Sequence, residues 1–154
     1  MNYLKTNGSI ENELSITFSS NYNNKDPFEL LNYDDSSSGS YFQTGNEQNP
    51  SICFEFKKHQ VMPTGYIIRS FNCSNHNHLK SWKIEGSNDL ESWEIHDSQT
   101  NNDILNGANR VHLFNVSKNK GKPLKYVRIM ETGSNRYGNN HMIMNSIEFY
   151  GKII

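Results

Sequence analysis

Apolar and polar residues alternate along most of this chain, with the two-residue period of half-buried β-strands. The clearest example is the segment Leu79–Asp97. Trp82 and Ile84 precede a Gly-Ser-Asn-Asp cluster of turn-forming residues, and Trp93 and Ile95 follow it. The segment is therefore predicted to be a β-hairpin in which both tryptophans and both isoleucines face one core, while Glu94 and His96 face outward.

Similar alternation recurs in segments separated by Gly, Pro, Asn and Ser turns, at residues 14–18, 51–57, 66–71, 110–116, 124–131 and 142–151. Residues 27–31 are predicted to form a short helical turn, but no stretch of twelve residues carries a convincing helical apolar face. Seven or eight short strands predict an all-β fold, an antiparallel β-sandwich or jelly roll, built as a single domain over residues 1–154.

The order of the predicted strands also places the loops. If successive strands run in alternate directions, the loops at 72–80, 98–109 and 132–141 emerge at one end, together with the segment before Ser51. The loops at 57–64, 87–91 and 117–123 then emerge at the other end. Because binding residues are often displayed on loops held by a rigid scaffold, the first end is the better candidate for a site.

That first end is rich in amide and imidazole side chains, which hydrogen-bond to hydroxyl groups, and it includes a tyrosine that offers a stacking face. The candidate ligand-binding residues are Asn72, Asn75, His76, His78, Asn135, Arg136, Tyr137, Asn139 and His141. The alternative interpretation, equally consistent with the composition, is that Asn and Gly only form the turns there.

Composition narrows the function classes. The 154 residues carry a formal net charge of −1, which gives no electrostatic basis for binding nucleic acid or an anionic membrane. The N-terminus lacks the apolar stretch of a signal peptide, and two cysteines are too few for a disulfide scaffold. The chain also lacks a Gly-x-Ser-x-Gly elbow, a phosphate-binding glycine loop and paired catalytic carboxylates in context. A cytoplasmic, non-enzymatic protein is expected.

Five segments together resemble the coagulation factor V/VIII type C (discoidin) domain: 54–57, 65–70, 82–89 with Trp93, 126–129 and 147–151. They follow that family's order and spacing from about Ser51 to Gly151, and residues 32–35 and 41–42 match its N-terminal part more weakly. The chain is most similar to the intracellular branch that accompanies BTB-domain proteins. The resemblance implies a galactose-binding-like jelly roll that binds glycans, phospholipid or proteins through loops at one end, without catalysis.

Two departures from that family decide between these ligands. Secreted relatives join their two ends by a disulfide, and phospholipid-binding relatives display apolar loops; this chain has neither feature. The leading hypothesis is therefore an intracellular module for protein–protein interaction or scaffolding. The basic loop 118–122 is typical of a solvated hairpin tip; the alternative is contact with an acidic protein partner, such as a cytoskeletal polymer. The alternative hypothesis is a lectin-like carbohydrate-binding domain that uses the Asn- and His-rich loops.

Two metal sites are also candidates, although no cofactor is expected. The resemblance implies a structural calcium near Asp34 and Asp35 with a carboxylate from the last strand, Glu148, since calcium prefers oxygen ligands. The alternatives are a plain Asp/Ser turn and an ion pair between Glu148 and a strand arginine such as Arg128. A zinc site is conceivable from thiol and imidazole ligands, although their spacing matches no zinc finger: Cys73, His76, His78 and His141.

Overall fold

The computed structural model describes residues 1, 4, 8–33 and 40–154. Regular structure in this part of the chain is almost entirely β, as the alternation predicts. A single turn of helix, α1 (Ile10–Glu13), and a 3-10 helix (Pro27–Leu31) accompany the strands. The strands are β1 (Leu14–Phe18), β2 (Phe42–Gln43), β3 (Ser51–Phe56), β4 (Val61–Arg69), β5 (Trp82–Ser87), β6 (Glu94–Gln99), β7 (Val111–Asn115), β8 (Tyr126–Glu131), β9 (Ile143–Met144) and β10 (Ser146–Ile153).

The strands form antiparallel sheets that make the predicted β-sandwich. The larger sheet has five strands in the order β1-β3-β8-β5-β6, and the smaller has three in the order β10-β4-β7. A two-stranded ribbon, β2-β9, completes the arrangement. Alternating residues of β3 and β8 point inward, with Phe54 opposite Val127 and Ile52 opposite Ile129, and all four are fully buried. The period-2 pattern therefore identifies the core-facing side of these strands.

Trp82 occupies the centre of this core, as predicted. Its ring meets the edge of Phe114 at 5.2 Å between centroids, and Phe114 stacks on Tyr66 at the same separation. The indole N–H of Trp82 donates to the Tyr66 hydroxyl at 3.0 Å, which donates in turn to the Asp97 carboxylate at 2.7 Å. Because Tyr66 belongs to the smaller sheet and the other two hydrogen-bonding residues belong to the larger, this buried chain of bonds joins the two layers.

The prediction for the second tryptophan is wrong. Trp93 lies on the outer face of the larger sheet, where the Arg128 guanidinium sits 3.8 Å from its ring centroid. Ile95 is also exposed, while His96 is buried. The cause is a bulge: β5 and β6 pair Ile84 with Asp97 but Glu85 with Ile95, leaving His96 as the extra residue. One extra residue reverses the inward and outward faces of a strand.

The loops divide between the two ends as predicted. At the first end, the backbone N–H of Arg136 donates to the His78 carbonyl at 3.0 Å, and that of Asn102 donates to the Lys80 carbonyl at 2.8 Å. At the second end, Lys58 pairs with Glu13 and Lys122 pairs with Glu94, each at 2.7 Å. Among the described residues, no helix is long and apolar enough to cross a membrane.

Candidate functional site

The loops of the first end enclose an open pocket of about 340 Å³. Four chain segments that are distant in sequence supply its lining, which consists of amide, imidazole and phenol side chains: Tyr22, Gln43, Asn75, His76, Asn77, Tyr137, Asn139 and His141. Five of these eight belong to the nine residues predicted for the site. The predicted strand order places these loops at the same end, and the structure shows that they also border one pocket.

Asn135 shapes one wall of the pocket without lining it. Its side chain is 2% exposed, and all its hydrogen bonds stay within the loop. The carbonyl oxygen accepts from the backbone N–H groups of Tyr137 at 3.0 Å and Asn139 at 3.3 Å. The amide nitrogen donates to Asn139 Oδ1 at 2.6 Å and to the His141 carbonyl at 2.8 Å. Asn135 therefore positions three lining residues from beneath.

Hydrogen bonds between loops fix the two sides of the pocket relative to each other. The Asn139 side chain donates to Asn77 Oδ1 at 3.0 Å, and the backbone N–H of Asn140 donates to Asn46 Oδ1 at 2.9 Å. Arg136 adds an ion pair with Asp103 of the neighbouring loop. Because these bonds form within the protein itself, the pocket is built before any ligand arrives.

One contact sets the tautomer that the neutral ring of His141 adopts. Its Nδ1 lies 2.8 Å from the carbonyl oxygen of Thr44. A carbonyl only accepts hydrogen bonds, so in the neutral ring Nδ1 carries the proton and Nε2 is left as the acceptor. The ring also meets Tyr22 edge-on, at 5.1 Å between centroids. His141 is thereby oriented as a hydrogen-bond acceptor for a hydroxyl group.

His76 contributes a second neutral imidazole. Its ring packs 4.7 Å from the Phe71 ring, between centroids. Burial, reinforced by the nearby His141, lowers the pKa of His76 below its usual value. Its Nδ1 is buried without a hydrogen-bond partner in the described part of the chain.

Three predicted site residues lie outside the lining besides Asn135. His78 is almost fully buried, and that burial lowers its pKa. Hydrogen bonding to the Cys73 backbone has the opposite but smaller effect on this pKa. Its carbonyl anchors the Arg136 backbone, so it supports the loop. The Arg136 guanidinium is turned toward Asp103, and Asn72 is half-buried next to Phe71 in the chain. Contact of these residues with a ligand stays a prediction.

The lining residues that the sequence did not identify are Tyr22, Gln43 and Asn77. The first two reach the pocket because the chain after β1 runs beside β2, where the backbone N–H of Tyr22 donates to the Gln43 carbonyl at 3.0 Å. Nothing in the local pattern of residues 19–25 distinguishes this placement from a solvated loop. Only Asn77, within the His- and Asn-rich segment 72–80, carried a compositional signal.

The metal predictions have different outcomes. Asp34 and Asp35 lie outside the described residues, so the calcium site stays a prediction. Glu148, its third proposed ligand, accepts from the Tyr150 hydroxyl at 3.0 Å and lies 3.8 Å from the N-terminal amine. Arg128, the suggested alternative partner of Glu148, pairs instead with Glu85 at 2.6 Å.

The four predicted zinc ligands do not assemble. Across residues 1, 4, 8–33 and 40–154, no group of three or more His, Cys, Asp or Glu side chains is arranged to hold a metal ion. Cys73 is exposed, and its thiol donates to the neighbouring Ser74 carbonyl at 3.4 Å.

The fold is the jelly-roll sandwich that occurs in carbohydrate-binding modules and lectins. A carbohydrate-binding module, CBM32-3 of a family 31 glycoside hydrolase from Clostridium perfringens, superposes with a TM-score of 0.68 at 18% identity, covering 92% of both chains. The fucolectin from striped bass (Morone saxatilis) serum gives 0.72 at 15% identity, covering 97% of this chain and 49% of that one.

A third similar structure contains a sugar. The family 32 module of NanJ from C. perfringens, solved in complex with galactose, gives a TM-score of 0.67 at 10% identity and covers 90% of this chain and 94% of that one. No family model and no curated protein matches the sequence. The comparisons confirm the predicted jelly-roll fold, whereas the similarity to the BTB-associated branch is not confirmed.

Proposed function

We propose that this chain is a non-catalytic module that binds a carbohydrate in the loop pocket. The observation that carries the proposal is the pairing of two exposed aromatic side chains with a lining of amides and imidazoles. Tyr22 is 59% exposed and Tyr137 is 69% exposed. A pyranose presents both hydroxyl groups and an apolar C–H face, and this combination of side chains is complementary to both.

The state of the polar groups supports this proposal. His141 is held with Nε2 as an acceptor, and the amide carbonyl of Asn77 is already used by Asn139. The Asn77 amide nitrogen and the His141 Nε2 thus offer one donor and one acceptor, the pair that a sugar hydroxyl group uses. A pocket largely formed in advance also avoids the entropy loss of ordering its loops on binding.

The comparisons give independent support. Among the similar structures, one carbohydrate-binding module was solved with galactose, and another protein is a fucolectin. At identities between 10% and 18% this is support by analogy of fold, so the pocket itself has to carry the assignment. We favour carbohydrate binding over the protein-interaction hypothesis, because no surface feature of the described residues supports a protein partner as directly as the pocket supports a sugar.

A glycan array probed with the labelled protein, followed by titration calorimetry with the best glycan, tests the proposal. Tyr137→Ala should weaken binding by about two- to tenfold, because stacking on an aromatic ring is worth roughly 0.5–1.5 kcal/mol, and by more where the glycan also bonds to its hydroxyl. Tyr150→Ala is the matched control, since Tyr150 is similarly exposed but lies on β10, outside the pocket. Its affinity should be unchanged.

Two results would contradict the proposal. Silence across the array would remove carbohydrate binding, and recovery of a stoichiometric protein partner from cell extract would then support the scaffold hypothesis. Equal loss of affinity in both tyrosine variants would show that the glycan binds elsewhere. The predicted cytoplasmic location is a separate question, answered by imaging the tagged protein in its native cell.

A further inference from the structure

We propose that the pocket prefers neutral glycans to acidic ones. This inference rests on the proposed carbohydrate-binding function and specifies its substrate class. It follows from the charges that the folded chain places in and around the pocket, together with the desolvation that a charged ligand would undergo there.

The lining contains no side chain with a fixed charge. None of its eight residues is Lys, Arg, Asp or Glu. Its two imidazoles are those of His76, whose pKa is lowered by burial, and of His141, whose Nδ1 lies 2.8 Å from the Thr44 carbonyl oxygen. The remaining lining side chains are amides and phenols, so the lining offers hydrogen-bonding groups without a fixed charge.

The one cation predicted for this site is directed away from it. The Arg136 guanidinium pairs with the Asp103 carboxylate, while the Arg136 backbone is held by the His78 carbonyl. The guanidinium is thus absent from the lining, and its nearest acidic partner is the Asp103 carboxylate.

Desolvation then separates the two ligand classes. A sugar hydroxyl group exchanges hydrogen bonds with water for similar bonds with Asn, Gln and His, at little net change in free energy. A carboxylate loses a much larger hydration energy on entering a concave site, and recovers it only where a cation or several strong donors meet it. Among the described residues, the lining of this pocket supplies no cationic side chain of Lys or Arg.

The test compares sugars that differ only by oxidation at C6. The affinities of methyl galactoside, mannoside and glucoside are compared at pH 8 with those of the methyl glycosides of the corresponding uronic acids. A glycan array is also scored for binding to neutral glycans and to their sialylated counterparts. For whichever sugar binds, the acid should bind at least about tenfold more weakly. Equal or tighter binding of the acid would overturn the inference but leave carbohydrate binding intact. Absence of binding to every sugar would refute both.

A charge added at the rim provides the second arm. Tyr22→Arg places a cation on an exposed lining residue, and Tyr22→Gln removes the ring without adding charge. The ratio of neutral to acidic affinity should fall in the arginine variant relative to the glutamine variant, and raised salt should restore it. An unchanged ratio, with thermal melting showing both variants folded, would show that charge does not govern selection.

Discussion

Replacing Glu131 with Gln should remove much of the protein's sensitivity to rising pH. Glu131 ends β8, immediately before the loop 132–141 that lines the pocket, and its side chain is fully buried. Neither carboxyl oxygen has a hydrogen-bond partner among the described residues. Burial raises the pKa of this carboxyl from the ordinary 4.5 to about 9, so the folded protein holds it as the neutral acid.

The sign of the effect follows from proton binding. Between pH 4.5 and about 9 the folded state keeps the Glu131 proton while the unfolded chain releases it, so the free energy of unfolding falls as pH rises. The stabilisation is complete below pH 4.5 and is lost as pH approaches the folded-state pKa. Each pH unit corresponds to about 1.4 kcal/mol, so up to about 4 kcal/mol should be lost between roughly pH 5 and 8.

Urea unfolding followed by tryptophan fluorescence at several pH values in this range measures the slope. Glu131→Gln should flatten it, whereas Glu91→Gln, at an exposed turn position, should follow the wild type. Slopes are compared rather than absolute stabilities, because the glutamine amide is itself buried without partners. If wild type and Glu131→Gln lose stability in parallel, the buried carboxyl is not the titrating group.

Three further substitutions separate the core from the pocket. Trp82→Ala should lower the free energy of unfolding in urea by about 3–5 kcal/mol, because it empties the centre of the core. Trp93→Ala should lower it by only about 0.5–1.5 kcal/mol, through loss of its Arg128 contact. Equal losses would contradict the different placement of the two tryptophans. Asn135→Ala removes the four hydrogen bonds that shape the pocket loop. Glycan binding should therefore disappear, while unfolding stays cooperative and the free energy of unfolding falls by about 1–3 kcal/mol. Retained affinity in that variant would show that the loop keeps its shape without Asn135.

The strands could be predicted from the sequence because their information is local. Residues 14–18 form β1 as predicted, and the alternation in β3 identifies its buried face. The bulge in β6 could not be foreseen, because it arises from how two strands pair rather than from either strand alone. The alternation predicts Trp93 in the core, and that prediction would hold only in a hairpin without a bulge.

The candidate site could be predicted only in part, for a similar reason. Strand direction places a loop at one end of the sandwich, which was enough to group His76, Tyr137 and His141. It does not say which loops are neighbours across that end, since this depends on the order of strands within the sheets. Tyr22 and Gln43 enter the pocket through contacts between β2 and the chain after β1, and no periodicity within either segment encodes those contacts.

The residues in and around the pocket divide by whether their side chains are used within the fold or left exposed. Asn135 has its amide fully engaged within the loop, and Arg136 directs its guanidinium toward the Asp103 carboxylate rather than into the pocket. Tyr22 and Tyr137 instead leave most of their surface exposed at the pocket. Because the first group holds the loops in place and the second borders the space between them, substitutions at the two tyrosines should alter ligand preference without loss of the fold. This separation lets one scaffold present different pockets by changing only its exposed lining.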